Sequence, residues 1–243
     1  MRLDQYLVES GFFPTRNRAQ EAIKQGQIRV NGKVVEKASY GILAGDVVLQ
    51  DDAIAYVSRS GNKLEDALMV YPYDFTGKTV LDLGASTGGF TQVALLHGAS
   101  GIFAVDVGTR QLEATLRLDP RVTSMENTDA RALTRASFNA KIDILLMDVS
   151  FISGRKVLAC VLPILDPLLL AFVLIKPQFE VGLAHIKSNG QVKNQRTIDA
   201  MLDEYRAFLR SYGCRIHALF PCGFTGKEGN TEYFVVFEKT KDA

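Results

Sequence analysis

The sequence predicts an α/β fold, a doubly wound sheet with helices on both faces, preceded by a small α+β module. Three observations carry this expectation. The apolar run from Val80 ends in Asp82 and passes into a small-residue loop, VLDLGASTGG, with glycines at Gly84, Gly88 and Gly89. Such a loop lets backbone N–H groups approach a ligand where a strand hands over to a helix. A second apolar run, Ile102 to Val105, ends in Asp106, about twenty residues on, where a doubly wound sheet offers a carboxylate to a ribose hydroxyl. The stretch up to Gln50 is of another kind, with two short helical patterns and a hairpin signal.

Within that module Leu3, Leu7 and Val8 share one helical face. Pro14 and Thr15 open a second helix that carries Ala19, Ala22 and Ile23 inward and ends near Gly26. In IRVNGKVV, Asn31 and Gly32 between β-branched runs predict a tight hairpin, and AGDVVLQ supplies another strand. Asp51 to Ser60 reads as a last strand and a short linker, because Arg59, Ser60, Gly61 and Asn62 form a polar break before the helical pattern LEDALMVY, which Lys63 begins. The expected division is residues 1–57 for the module, 58–63 for the linker and 64–243 for the sheet domain. Further on, IDILLM runs into Asp148, AFVLI runs into Lys176, and Glu232 opens the final strand EYFVVFE. Charged groups just beyond the strand ends lie where open α/β sheets hold their ligands.

At 243 residues and 47% hydrophobic content the chain can bury one medium core and a small one. Cys160, Cys214 and Cys222 form no CxxC pair, and His97, His185 and His217 are scattered, so neither a disulfide framework nor a metal site is expected. MRLDQYLVES lacks the apolar core of a signal peptide, which points to the cytoplasm. Val157 to Ile175 approaches the length of a membrane span, but Pro163, Asp166 and Pro167 interrupt it. It reads as a core helix, a turn and a buried strand, so no membrane partner is expected.

The spelling of the loop bears on the ligand. A dinucleotide fingerprint spaces its glycines GxGxxG so that a pyrophosphate can sit on the helix N-terminus; here Asp82 precedes Gly84, Gly88 and Gly89. An acid there repels an anion and suits a ligand with a cationic centre and an amino-acid tail, which favours S-adenosylmethionine. A dinucleotide, or a glycine-rich turn with no ligand, are the alternatives. In the module, Arg16, Arg18, Lys24, Arg29, Lys33 and Lys37 cluster with only Glu21 and Glu36 against them, the footprint of phosphate contacts or else a solvated charged face. The whole chain carries only +1.

The N-terminal pattern RLDQYLVESGFFPTRNRAQEAIKQGQIRVNGKVV, followed by GD and a valine pair, resembles the RNA-binding domain named after small-subunit ribosomal protein four. With STGGFT, VDVG, MDVSFIS, KPQFE and KEGNTE downstream, the chain resembles the TlyA family of ribosomal RNA 2′-O-methyltransferases, relatives of the FtsJ group that often carry a hemolysin label. The resemblance implies a Rossmann-like seven-stranded methyltransferase sheet, S-adenosylmethionine as donor, ribosomal RNA or ribosomal subunits as partner, and methylation of a ribose 2′-hydroxyl, commonly of cytidine. Lys63 in SGNKL, Asp148 in MDVS, Lys176 in IKPQ and Glu232 in GNTEY match the Lys-Asp-Lys-Glu tetrad of the FtsJ-type fold, in which the second lysine is taken as the base.

By the same logic Gly84, Ala85, Ser86, Gly88 and Gly89 line the methionine moiety. Asp106 takes the ribose hydroxyls and Asp129 in NTDAR approaches the adenine edge. Phe90, Tyr233, Phe234 and Phe237 read as packing. The sequence departs from the family pattern at Asn62, where a second glycine is usual, and in VGLAHIKSNGQVKN after KPQFE, expected to form a mobile lid over residues 181–194. Oligomeric state is left open. Two rival readings are a membrane-lytic protein, which needs a spanning or strongly amphipathic exposed segment, and a noncatalytic RNA-binding protein, which is expected to lose tetrad members.

Overall fold

The computed structural model describes residues 1–13, 15–24, 26–50, 56–165, 167–226 and 228–240, with backbone alone at 49 and 50. The chain divides into two compact units, Met1–Asn62 and Lys63–Ala243. The first holds α1 (Leu3–Glu9), α2 (Arg16–Lys24), β1 (Ile28–Val30), β2 (Lys33–Val34) and β3 (Val48–Gln50), the strands forming an antiparallel sheet in the order β2-β1-β3. Val30 pairs with Lys33, leaving Asn31 (φ 51°) and Gly32 (φ 78°) as a two-residue turn. Asparagine and glycine adopt positive φ readily, and the twist of such a turn matches that of the strands. Leu3, Leu7, Ala19, Ala22, Ile23, Ile28 and Val30 share one core, with Val8 packed at its edge. Pro14, and residues Asp51 to Ala55 of the expected last strand, lie outside the described residues.

Asp4 in α1 is wholly buried. Arg2 and Arg16 donate to its carboxylate at 2.9 and 2.8 Å, and Gln20 does so at 2.7 Å. These bonds, that from Arg2 foremost, hold the carboxyl well below the usual carboxylate range in spite of burial. An unpaired buried charge is costly, so this network joins α1 to α2 by necessity.

The next helix, α3 (Arg59–Val70), starts earlier than expected. The polar run Arg59 to Asn62 is its first turn and not a linker. Polar side chains and a preceding serine are ordinary at a helix start, so polarity alone did not mark a loop. The second unit continues through β4 (Thr79–Leu83), α4 (Gly89–Leu96), β5 (Gly101–Val105), α5 (Ala114–Arg117), β6 (Val122–Met125), β7 (Ile144–Met147) and α6 (Gly154–Val161). It closes with β8 (Leu168–Ile175), α7 (Pro177–Glu180), α8 (Gln195–Ser211), β9 (Cys214–Thr225) and β10 (Thr231–Lys239).

These strands form one seven-stranded sheet in the order β6-β5-β4-β7-β8-β10-β9. The first five are parallel, and β10 runs antiparallel to both neighbours. Leu81, Leu83, Phe103, Val105, Leu145, Met147 and Val173 face a core completed by Val157, Leu158 and Val161 of α6 and Met201, Leu202 and Tyr205 of α8. Residues of opposite parity, such as Val80, Ile102, Leu146, Phe172 and Phe234, are buried as well, which is why the strands read as continuous apolar runs. On that second face Phe90 stacks 6.2 Å from Phe234 and Phe75 lies 6.3 Å from Phe172. Val157 to Ile175 resolves into the end of α6, a 3-10 turn over Leu162–Ile164 and the buried β8, with Asp166 outside the described residues. Among the described residues no helix is long and apolar enough to cross a membrane.

Strand order reverses at β4, with β5 and β6 to one side and β7 onward to the other. At such a switch point the carboxyl ends of the strands open a crevice. Gly84 leaves β4 with φ 79°, and a Cβ there would stand 2.8 Å from the carbonyl oxygen of Asp148 and 3.2 Å from Cα of Val149. Because backbone and not a flexible side chain blocks the space, Gly84→Ala should cost about 1–3 kcal/mol. A thermal melt at or above the wild-type midpoint would show that the ends of β4 and β7 can part freely.

Candidate active site

Four charged side chains meet at the carboxyl end of this sheet as two ion pairs. Lys63, near the start of α3, reaches Glu232 in β10, with Nζ donating to Oε2 at 2.6 Å. Both side chains are nearly out of solvent. Lys176, first after β8, brings Nζ to 2.6 Å from Oδ1 of Asp148, first after β7. That approach is a contact ion pair out of line for a hydrogen bond, since Oδ1 has no hydrogen-bond partner. Lys176 Nζ instead donates to Ser150 Oγ at 2.7 Å. The two pairs are electrostatically joined: burial presses the Lys63 pKa down, but Asp148 and Glu232 together outweigh it and leave the ammonium above its ordinary value.

The glycine loop lies beside these pairs, because Asp148 N–H donates to Leu83 O at the end of β4. Four of its donors are already engaged. Gly84 and Ala85 donate to Val105 O, Gly88 donates to Ala85 O, and Ser86 donates to Asp106 Oδ2 at 2.8 Å. The other oxygen of Asp106 accepts from Gly108 N–H at 2.7 Å, so this carboxylate ties the loop after β4 to the loop after β5. A loop with most of its N–H groups satisfied internally is poorly equipped to cradle a pyrophosphate. Gly89 opens α4 and Phe90 is core. Asp129 caps a short 3-10 turn, and its carboxylate is held by Arg131 at 2.6 Å, chiefly a side-chain hydrogen bond that lowers its pKa. The Asp129 side chain stays 43% exposed beside Arg131.

Asp82 lies under the loop, fully buried. Thr91 Oγ1 of α4 donates to its Oδ2 at 2.6 Å, while Oδ1 has no partner. It therefore lines no open surface, contrary to the expectation of a direct ligand contact. Burial lifts its carboxyl to about 7, only partly offset by the Thr91 bond, and the nearby Asp148 pushes the same way. An unfolded aspartate titrates near 3.9, so the folded state holds the proton more tightly; the stability this confers is complete below about pH 4 and is lost as pH rises through about 7. Asp82→Asn keeps the shape and stays neutral. Urea titrations should show the variant gaining on the wild type by up to about 4 kcal/mol between about pH 4 and 8. Parallel profiles would mean that Asp82 is not the titrating group.

The residues expected to meet RNA all lie in the first unit but do not form one row. Arg16, Arg18 and Lys24 are exposed on α2, and Lys33 on β2, while Arg29 is half-buried in β1. Arg16 is committed to Asp4, and Arg18, two positions on, points to another side of the helix. Two partners were not foreseen. Ser150 receives the Lys176 ammonium, and Glu180 in α7 binds the start of α6. Glu180 accepts from Gly154 N–H at 2.6 Å, Ser153 Oγ at 2.7 Å and Arg155 Nε at 3.1 Å. Glu180 thereby ties the segment after Lys176 to the segment after Asp148. Both residues sit inside the motifs MDVSFIS and KPQFE, which were the available signal.

Comparison with known proteins agrees with this architecture. Residues 56–239 match the FtsJ-like methyltransferase family and residues 1–48 match the S4 domain family. Hemolysin A of Brachyspira hyodysenteriae is 35% identical over 98% of this chain and 99% of its own length. The 16S/23S rRNA (cytidine-2′-O)-methyltransferase TlyA of Mycobacterium tuberculosis (strain H37Rv) is 34% identical over 96% of this chain and 88% of its own. A solved hemolysin-named structure from Streptococcus thermophilus superposes with a TM-score of 0.75 at 36% identity, covering 99% of this chain and 88% of that one. An S4 domain followed by an FtsJ-like methyltransferase domain, shared along nearly the whole length with these relatives, places the chain in the TlyA family.

Proposed function

We propose that this chain transfers a methyl group from S-adenosylmethionine to the 2′-hydroxyl of a ribose, that of a cytidine, in ribosomal RNA, working in the cytoplasm where ribosomal subunits are found. The observation that carries this reading is Lys176 at the carboxyl end of β8, held by Asp148 at 2.6 Å and Ser150 at 2.7 Å next to the glycine loop. The residues around that loop suit the donor, with an acid at Asp106 and few free N–H groups for a phosphate. When bound, the donor supplies a methyl group already activated on a sulfonium.

What the protein must add is alignment and a place for the proton of a poorly acidic hydroxyl. Lys176, once deprotonated, accepts that proton, with Asp148 and Ser150 fixing the direction of its Nζ. Lys63 and Glu232 hold the opposite wall of the site and orient the ribose. Gly84 and Ala85 support the amino-acid end of the donor and Asp106 its ribose. The first unit, as an S4 domain, brings basic side chains to the RNA backbone.

Lys176→Ala should abolish methyl transfer to ribosomal subunits from a strain lacking this protein, while leaving S-adenosylmethionine binding by calorimetry near that of the wild type. Lys176→Arg should fail as well, since a guanidinium does not lose its proton near neutral pH. An arginine variant with near-wild-type turnover would rule out the base role. Charge reversal at the exposed Arg18 and Lys24 together should weaken RNA affinity and make its salt dependence shallower, by about one unit of log–log slope for each phosphate that is no longer neutralised. An unchanged slope would remove α2 from the RNA interface.

A further inference from the structure

The segment after the base-bearing strand is a built hairpin and not a loose lid. Ile186 pairs with Val192 in an antiparallel bridge. Lys187 N–H donates to Gln191 O at 2.7 Å, Gly190 N–H to Lys187 O at 3.0 Å, and Lys193 N–H to His185 O at 2.9 Å. Val192 is buried in the main core. The buried Asn230 accepts from Val192 N–H at 2.9 Å and donates to Gly190 O at 3.0 Å. Asn230 precedes Glu232 by two residues at the mouth of β10. The hairpin thus follows α7, which ends at Glu180, and is stapled to the strand that carries Glu232.

Its charge is one-sided. Between Val181 and Ile198 the chain exposes Lys187, Lys193 and Arg196, together with His185, and contains no aspartate or glutamate. Lys193 Nζ donates to Ala184 O, a neutral acceptor. Four acids lie nearby, three of them with partners. Glu180 is buried and bound, Glu204 pairs with Arg155, Asp199 accepts from Gln195, and Glu228 packs beside Gly190. On a chain of net charge +1 this is a local concentration of cations on the segment stapled to the strand of Glu232.

We propose that the hairpin over residues 185–193, together with Arg196 in the first turn of α8, is a phosphate-binding arm of the catalytic unit, which grips the RNA backbone next to the nucleotide being modified. The proposal rests on the reading of RNA as substrate. A pinned backbone means that only side chains must be ordered when phosphates arrive, which lowers the entropic cost of contact. Each phosphate neutralised releases counterions and steepens the dependence of affinity on salt. Anchoring through Asn230 turns that grip into placement, because the hairpin cannot shift without the strand that holds Glu232.

The test is the triple variant Lys187→Gln, Lys193→Gln, Arg196→Gln, measured for binding and methylation of ribosomal subunits lacking the modification. The expected result is RNA affinity lower by roughly ten-fold or more, and a log–log salt slope shallower by about two to three units. Turnover at saturating RNA should stay within about two-fold, and S-adenosylmethionine binding should be unchanged. Wild-type affinity and slope in the folded variant would overturn the proposal. Should the triple variant melt early, Lys187→Gln alone, at the exposed turn, carries the same test with about one unit of slope. Binding is read separately from methylation. RNA binding without label transfer by the wild type counts against the methyl-transfer reading and leaves the hairpin result standing, whereas no RNA binding at all overturns both.

Discussion

The close approach of β4 to β7 at their carboxyl ends is the constraint on which the rest of the site depends. Gly84 can lie against the Asp148 carbonyl only because it has no Cβ, and that contact sets the glycine loop beside the acid that holds Lys176. On the proposed reading, a wider gap would separate the donor from the ribose, and in-line transfer tolerates little misplacement of its two partners. Strand order makes the approach possible, since β4 is where the winding reverses. Apolar residues on both faces keep the strands rigid up to that point.

Much of this was legible in the sequence because doubly wound sheets end their strands abruptly. An apolar run that stops at Asp106, Asp148 or Lys176 announces both the strand and the place of the charge, since a charged side chain would be costly inside a two-faced sheet. The Asn31-Gly32 turn was equally readable, for a local conformational reason. The start of α3 was not, because Arg59 to Asn62 are as polar in a first helical turn as in a linker.

Side-chain destinations were less legible than backbone positions. Asp82 and Asp129 look alike as acids near a nucleoside site, yet one is enclosed with Thr91 and the other is held by Arg131. Arg16 reads as free on a basic helix until Asp4, twelve residues earlier, is seen to claim it. Glu180 reaches back 26 residues to cap α6, and Asn230 reaches back 38 to pin the hairpin. Such partnerships arise from tertiary proximity, which no local spacing encodes.

The pairing of two lysines with two carboxylates has a consequence for how the molecule divides its labour. Formally the tetrad sums to no charge, so these four side chains neither repel a cation nor draw in a polyanion. On the proposed reading, long-range attraction has to come from elsewhere on the surface, and Lys187 and Lys193 of the stapled hairpin are exposed. In the proposed reaction, proton transfer at the tetrad can then be tuned without weakening capture, and the capturing surface can change to suit a different RNA without disturbing the chemistry.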